Sequence, residues 1–306
     1  MTAELARTAV TVGTFDGVHR GHRFVLDRLV RFAREHRLRS VVVTFEPHPL
    51  RVVNPAAAPQ LLTVGDEKVR LLSAAGVDHV TVVPFTPALA ALDADHFVDE
   101  VLLARFGMQH LFIGHDHGFG RGRTGDAATL ERLGAVRGFS VHVVPAADGR
   151  DGRPISSTLI RRAVAGGDLA RAADGLARPY WVGGVVERGA GRGAGLGFRT
   201  VNLAAPPPEK LLPPDGVYAV RVTTPDGQHA GMLNLGGRPT FADGTRGIEA
   251  HLFDAEGDWY GQAVRVDFLT RLRDVRKFDG PEALIRQLRR DEEAARVVAA
   301  RWPAGL

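Results

Sequence analysis

The first half of the chain alternates between short apolar runs and segments whose apolar residues recur at helical spacing. The runs are rich in valine, isoleucine and leucine, as in strands buried on both faces, and occupy residues 9–15, 40–45, 79–84, 111–114 and 141–144. The helical segments between them occupy residues 20–36, 63–75, 95–106 and 126–136. Repeated strand and helix units predict an α/β domain with a parallel sheet covered by helices. Thr63 and Asp66 are spaced like a capping box, so we expect the helix to begin there.

The pattern changes in the second half of the chain. Two short helices are predicted at residues 157–165 and 168–177. Strand-like segments with glycine, proline and aspartate between them then follow, at residues 180–186, 216–223, 230–235, 248–253 and 264–269. This spacing predicts an antiparallel barrel or sandwich, and an amphipathic helix at 281–300 closes the chain. We therefore expect two domains, at residues 1–178 and 179–306.

Composition and charge narrow the function classes. The 306 residues are 44% apolar and 24% charged, as in ordinary globular proteins. The formal net charge is +4, and basic residues are interleaved with acidic ones, so we expect anionic small molecules and no nucleic acid as partners. The chain has no cysteine, which excludes disulfides and thiolate chemistry. No signal peptide or membrane-length apolar run is visible, so we expect a cytoplasmic protein with no membrane partner. Nothing in the sequence supports an oligomer.

The strongest local signal is the decapeptide GTFDGVHRGH at residues 13–22, where the first strand ends and the first helix begins. Gly13 and Gly17 permit unusual backbone angles, and Gly21 permits close approach of a phosphate. His19 and His22 share one face of the first helical turn, beside N–H groups that attract an anion. Taken alone, the motif fits phosphate chemistry and solvent-facing histidines about equally well, and a zinc site is less favoured because no third ligand of suitable spacing lies nearby.

Three further polar loops follow strands of the same predicted sheet. They occupy residues 44–49 after the second strand, 114–126 after the fourth and 155–161 after the fifth. Parallel strands place their carboxyl ends at one edge, where ligands of such sheets bind. Helix capping without any ligand would explain the hydroxyl side chains of the loop at residues 155–161. It does not explain four polar loops at one edge, so we expect them to form one site.

These elements together resemble a known family. The segments GTFDGVHRGH, FEPHP at residues 45–49, GHDHGFG at residues 114–120 and SSTLIR at residues 156–161 stand in the order found in the bacterial bifunctional riboflavin kinase/FAD synthetases, whose second activity is that of an FMN adenylyltransferase. The resemblance covers essentially the whole chain. It implies a Rossmann-like nucleotidyltransferase domain, in which the phosphate of FMN attacks the α-phosphorus of ATP to give FAD and pyrophosphate.

The resemblance assigns roles to residues of the first domain. His19 and His22 are the implied catalytic residues on the ATP phosphates. Further ATP contacts are implied at Gly13, Phe15, Asp16, Gly21, Asp116, Ser157, Thr158 and Arg161. The FMN pocket is implied to be shaped by Phe45, Pro47, His48 and Pro49.

In the same family the second domain is a six-stranded barrel that phosphorylates riboflavin with ATP and Mg²⁺. Thr200 and Asn202 are the implied metal contacts, and Glu249 is the implied base on the ribityl hydroxyl. The resemblance also implies ATP contacts at Gly189 and Gly193 and a flavin contact at Arg238. This chain departs from the family pattern at Ala194, Arg199, Val201 and Val275.

Those departures leave alternative functions open. The first interpretation is a bifunctional enzyme that takes riboflavin to FMN and FMN to FAD, with ATP as co-substrate and Mg²⁺ as cofactor. The second is an FAD synthetase, such as a specialised paralogue, whose kinase domain is inactive or altered in substrate. A non-catalytic flavin-binding protein and a nucleotidyltransferase for another small molecule are further alternatives.

Overall fold

The predicted strands of the first half form one parallel sheet. The computed structural model describes residues 7–115, 118–147, 149, 152, 154–188, 198, 200–237 and 246–302. The strands of the sheet are β1 (Thr8–Val12), β2 (Arg39–Glu46), β3 (His79–Pro84), β4 (Met108–Gly114) and β5 (Ser140–Val144). Their order is β3-β2-β1-β4-β5, and every neighbouring pair is parallel. The α/β prediction is confirmed.

Helices connect these strands at nearly the predicted positions. Their bounds are α1 (Arg20–Glu35), α2 (Pro49–Val53), α3 (Asp66–Ser73), α4 (Pro87–Ala91), α5 (Ala94–His96), α6 (Ala104–Phe106) and α7 (Ala127–Arg137). A π-helical stretch, Phe97–Leu103, joins α5 to α6, so the helix predicted at 95–106 is helical throughout. The short helices α2 and α4 were not predicted, because five residues are too few to show a helical period.

Strand β1 lies at the centre of the sheet and is buried along its whole length. Val41 and Val43 of β2 are also fully buried and belong to one apolar cluster with the π-helical stretch. Burial on both faces explains why these strands are continuous apolar runs and show no alternation.

The capping box predicted at Thr63 and Asp66 is wrong. Helix α3 begins at Asp66 behind Gly65, which has a φ of 46° and provides no side-chain cap. The Thr63 hydroxyl instead accepts a hydrogen bond from the backbone N–H of Gly17, 3.0 Å away. A long-range contact therefore uses the hydroxyl that the local spacing assigned to a helix end.

The second half of the chain forms a closed six-stranded antiparallel barrel. Its strands are β6 (Tyr180–Glu187), β7 (Val201–Leu203), β8 (Gly216–Thr224), β9 (Gly227–Gly237), β10 (Arg246–Leu252) and β11 (Ala263–Arg273). Neighbouring strands follow the order β10-β7-β6-β11-β8-β9, and β9 pairs with β10 to close the ring. Strand β7 was missed in the strand assignment because its three residues cannot show an alternating pattern.

Three helices belong to this part of the chain. Helices α8 (Ser157–Ala165) and α9 (Leu169–Leu176) precede the barrel, and α10 (Pro281–Arg301) follows it. Helix α10 packs against β8, β9 and β11. Ala295 of α10 shares an apolar cluster with Ala219, Met232 and Leu269 of those strands, which explains why this helix is amphipathic.

Contacts between residues divide the chain into two compact units, Met1–Ser157 and Thr158–Leu306. The domain boundary expected after residue 178 stays a prediction. Among the residues that the structure describes, no helix is long and apolar enough to cross a bilayer.

A cluster of histidine and phenylalanine rings covers part of the parallel sheet. Nδ1 of His110 lies 3.2 Å from Nε2 of His142, and the His142 ring stacks on Phe112 with centroids 4.4 Å apart. Burial lowers the pKa of His110 and of His142, and the charge of His36 lowers both further. The folded protein therefore binds protons at these rings less readily than the unfolded chain does.

This cluster predicts a loss of stability on mild acidification. A histidine pKa lowered by folding leaves stability intact above the ordinary value of about 6.5 and removes it as the pH falls below that value. Thermal unfolding should show a smaller decrease in Tm between about pH 7.5 and about pH 5.5 for His142→Gln than for the wild type. The matched substitution His79→Gln, at an exposed residue of β3, should leave the decrease unchanged. Equal decreases in the wild type and His142→Gln would contradict this account.

Candidate active sites

The first candidate site lies at the carboxyl edge of the parallel sheet. Strands β1, β2 and β4 are neighbours and end there at Val12, Glu46 and Gly114. The turn at residues 13–22, the loop at 45–49 and the segment after β4 therefore leave the sheet from the same edge, as the sequence predicted. Asp116, the predicted ATP contact after β4, lies outside the described residues.

The turn from β1 to α1 contains unusual backbone angles. Gly17 has a φ of 82°, but Phe15 and Val18 also have positive φ, at 48° and 38°. Non-glycine residues in this region cost roughly 1–3 kcal/mol each, so the surrounding structure must hold the turn in place. Gly13 does not have a positive φ, contrary to expectation; a Cβ there would lie 3.2 Å from the Phe15 ring.

Asp16 holds this turn. Its carboxylate is buried at 3% exposure and accepts hydrogen bonds from the backbone N–H groups of Leu62 and Thr63, at 2.8 and 3.0 Å. The Ser157 hydroxyl donates to the backbone carbonyl of Asp16 at 2.9 Å. These bonds satisfy a buried charge and fix the turn from two distant points of the chain. Asp16 therefore holds the turn through its hydrogen bonds, and the ATP contact that the resemblance implies for it stays a prediction.

The two histidines of the motif lie together at the start of α1. His19 is the N-cap residue, and its Nδ1 accepts a hydrogen bond from the backbone N–H of His22 at 3.3 Å. The two rings stack with centroids 3.6 Å apart, and His19 is only 5% exposed. In a neutral His19 the proton is therefore on Nε2, which makes that nitrogen the donor.

Gly21 makes room for this arrangement. A Cβ at residue 21 would lie 3.2 Å from Cε1 and Nδ1 of His19, closer than ordinary packing permits. Glycine therefore lets the His19 ring lie against the first turn of α1. The paired imidazoles then lie beside the N–H groups of a 16-residue helix, where negative charge is stabilised.

The predicted flavin loop at residues 45–49 contains both buried and exposed side chains. Phe45 is buried, and its ring packs against Phe85 and Phe97 with centroids 5.3 and 6.2 Å apart. Pro47, which follows a cis peptide bond, is exposed, and His48 accepts a hydrogen bond from Leu50 N–H at 3.2 Å to cap α2. Phe45 therefore anchors the loop in the core, and Pro47 is the exposed residue of the loop.

Thr158 and Arg161 lie one turn apart in α8, where Arg161 donates to the Thr158 hydroxyl at 3.3 Å. Both belong to the second compact unit, whereas Ser157 belongs to the first. Their predicted role on ATP stays a prediction.

The second candidate site lies on the outer face of the barrel. Glu249 of β10 is the register partner of Asn202 on β7 and of Asn234 on β9. Residues directly opposite each other point to the same face. The adjacent residues Ile248 and Ala250 are fully buried and line the interior, so this polar row lies outside.

Thr200 completes this group of oxygen atoms. Its hydroxyl donates to Oε1 of Glu249 at 2.6 Å. The hydroxyl, the Asn202 amide and the carboxylate are the hard oxygen ligands that Mg²⁺ prefers. The donor set therefore fits the expected cofactor. Among the described residues, no three histidine or carboxylate side chains are grouped so as to bind a metal ion.

Several predicted residues of the second site lie outside the described part of the chain. They are Gly189, Gly193, Ala194, Arg199 and Arg238. Two departures from the family pattern are described: Val201 pairs with Ala250 in the barrel, and Val275 is exposed after β11. Neither substitution disturbs the hydrogen bond between Thr200 and Glu249.

Comparison with protein families divides the chain in the same way. A family model described as FAD synthetase matches residues 1–159, which include the paired histidines. A model described as riboflavin kinase matches residues 176–299, which include Thr200, Asn202 and Glu249.

Known proteins match the chain over nearly its whole length. A bifunctional riboflavin kinase/FMN adenylyltransferase of Pseudomonas fluorescens is 38% identical, over 95% of this chain and 92% of that protein. The protein of the same name from Bacillus subtilis is 32% identical, also over 95% and 92%. A crystal structure described as a macrolide-efflux protein from Streptococcus pneumoniae has a TM-score of 0.85 and 31% identity, over 97% of this chain and 95% of that one.

The role of Asp16 in the turn predicts a local loss of stability on substitution. Asp16→Ala leaves the N–H groups of Leu62 and Thr63 without their acceptor, at a cost of about 1–3 kcal/mol. Hydrogen exchange of a peptide covering residues 60–66 should therefore become faster. Asp27→Ala, at an exposed residue of α1, is the matched control and should leave this exchange unchanged. Equal exchange in Asp16→Ala and the wild type would show that the carboxylate does not hold the turn.

Proposed function

The chain belongs to the family of bifunctional riboflavin kinase/FMN adenylyltransferases, and we propose that it converts riboflavin to FMN and FMN to FAD, with ATP as co-substrate. The observation that carries this proposal is that each family match contains a grouped set of reactive side chains. These are His19 and His22 in the first match and Thr200, Asn202 and Glu249 in the second. The alternative of an FAD synthetase without kinase activity is not favoured, because a riboflavin kinase family model matches residues 176–299 and the full-length relatives are named as bifunctional.

In the first reaction site, a phosphate oxygen of FMN attacks the α-phosphorus of ATP, and the bond to the β-phosphate oxygen breaks to release pyrophosphate. The reaction needs no covalent bond to the protein, so catalysis rests on positioning and on stabilising negative charge. Nε2 of His19, the His22 ring and the start of α1 provide donors and positive potential for the oxygens that gain charge. Asp16 and Gly21 keep these groups in place.

In the second site, Glu249 takes the proton from the terminal ribityl hydroxyl of riboflavin as that oxygen attacks the γ-phosphorus of ATP. ADP then leaves, and FMN is the product. Thr200 and Asn202 would bind Mg²⁺, which neutralises charge on the phosphate oxygens when bound. The Thr200 hydroxyl donates a hydrogen bond to Glu249. The lone pairs of its oxygen therefore face away from the carboxylate and are suited to a cation.

We further propose that the first domain ends after residue 178 and that the protein acts in the cytoplasm, where ATP is at hand. The start of the riboflavin kinase match at residue 176, close to residue 178, supports this boundary. We propose riboflavin, FMN and ATP as its partners, and no observation supports an oligomer.

His22→Ala should abolish most FAD synthesis without affecting riboflavin phosphorylation. Loss of one charge-stabilising donor lowers a rate by about 100-fold to 1,000-fold. The measurement is FAD formed from FMN and ATP, with FMN formed from riboflavin as the internal control. His79→Ala, on the same sheet, should leave both rates unchanged. An undiminished rate of FAD synthesis in His22→Ala would remove the assigned role.

Glu249→Gln should have the reciprocal effect. The amide keeps the shape of the side chain and cannot take the proton, so riboflavin phosphorylation should fall by about 100-fold to 10,000-fold. FAD synthesis from added FMN should stay at the wild-type rate. Loss of both reactions, or of neither, would contradict the division of the two activities between the two sites.

A further inference from the structure

Lys68 is a buried lysine whose side chain contacts the end of β2, where the flavin loop begins. It lies in α3 and is only 6% exposed. Its Nζ donates to the backbone carbonyl of Phe45 at 2.7 Å and lies 3.5 Å from Oε2 of Glu46. Burial lowers the pKa of Lys68, and the carboxylates of Glu46 and Asp16 raise it in part. A buried ammonium is costly unless it is paired and hydrogen-bonded, so its contacts show what it stabilises.

The contact with Phe45 replaces a missing bond of the sheet. The carbonyl of Val43 accepts a hydrogen bond from Gly13 N–H at 3.0 Å, where β1 turns away towards α1. In a strand, carbonyls two residues apart point in the same direction. The carbonyl of Phe45 therefore points to the side where β1 would have continued, and Nζ of Lys68 serves as its donor.

On its opposite side, the end of β2 is hydrogen-bonded to the chain that follows β3. The carbonyl of Glu46 accepts a hydrogen bond from Phe85 N–H at 2.9 Å, beyond the end of β3. Lys68 and Phe85 thus fix the last two carbonyls of β2 from opposite sides. The remainder of the flavin loop begins at the next residue, where Pro47 is exposed and His48 and Pro49 are half-buried.

We propose that Lys68 is a positioning residue for adenylyl transfer: it fixes the end of β2, and with it the flavin loop, relative to the turn that carries His19 and His22. The proposal rests on the function proposed above. It requires that Lys68 act on FMN through the loop, because the buried ammonium itself is occupied by protein oxygens. Sequence reasoning assigned no role to this residue.

Lys68→Met keeps the length of the side chain and removes its donor and charge. Kcat/KM for FMN in FAD synthesis should fall by about 10-fold to 100-fold, because small displacements of a bound reactant have effects of this size. The decrease should come mainly from a higher KM for FMN, with the KM for ATP close to the wild-type value. Lys68→Arg should recover part of the loss, and Glu46→Gln should raise the KM for FMN to a smaller degree.

Two controls separate positioning from a general loss of structure. Riboflavin phosphorylation by the same preparation should be unchanged in Lys68→Met. Arg70→Met removes an exposed positive charge from the same helix and should leave FAD synthesis unchanged. Equal increases in the KM for FMN and the KM for ATP, or an unchanged KM for FMN, would overturn the proposal.

Hydrogen exchange tests the same inference without turnover. A peptide covering residues 44–53 should exchange faster in Lys68→Met than in the wild type or Arg70→Met. If the wild type forms no FAD, the proposed function fails, and this exchange still decides whether Lys68 fixes the loop. Unchanged exchange in Lys68→Met would overturn the inference even in a fully active enzyme.

Discussion

The first site depends on the buried carboxylate of Asp16. The turn between β1 and α1 contains two non-glycine residues with positive φ, an arrangement that does not persist in isolation. Hydrogen bonds from the backbone N–H groups of Leu62 and Thr63 to Asp16 hold the turn. The turn places His19 as the N-cap of α1. The position of the stacked imidazoles at the helix start is therefore supported by two hydrogen bonds to Asp16 from residues 46 and 47 positions further along the chain.

In the barrel, the strand register positions the reactive side chains. Pairing of β7 with β10 places Asn202 opposite Glu249 on the outer face, and the next residues on each side point inward to the core. A shift of the strand register by one residue would turn the polar side chains inward and the apolar side chains outward. Packing of the hydrophobic interior therefore fixes the position of the polar group. The two sites thus share one principle: apolar packing sets the backbone, and a few hydrogen bonds then orient the reacting side chains.

Much of this could be predicted from the sequence, because apolar periodicity is local and the motifs are short. The strand β3 and the helix α8 have the predicted bounds, and His19 and His22 lie together as expected. Contacts between distant segments could not be predicted. Thr63 was assigned to a helix cap because spacing alone does not reveal its bond to Gly17, and Lys68 gives no local signal of its bond to Phe45.

The most direct test is to incubate the purified protein with ATP and Mg²⁺ and either riboflavin or FMN, and to separate the flavins by chromatography. The account predicts FMN and then FAD from riboflavin, and FAD from added FMN. FAD from FMN alone would contradict the kinase activity assigned to Thr200, Asn202 and Glu249. Absence of FAD from both starting compounds would contradict the central claim that the paired histidines serve FMN adenylylation.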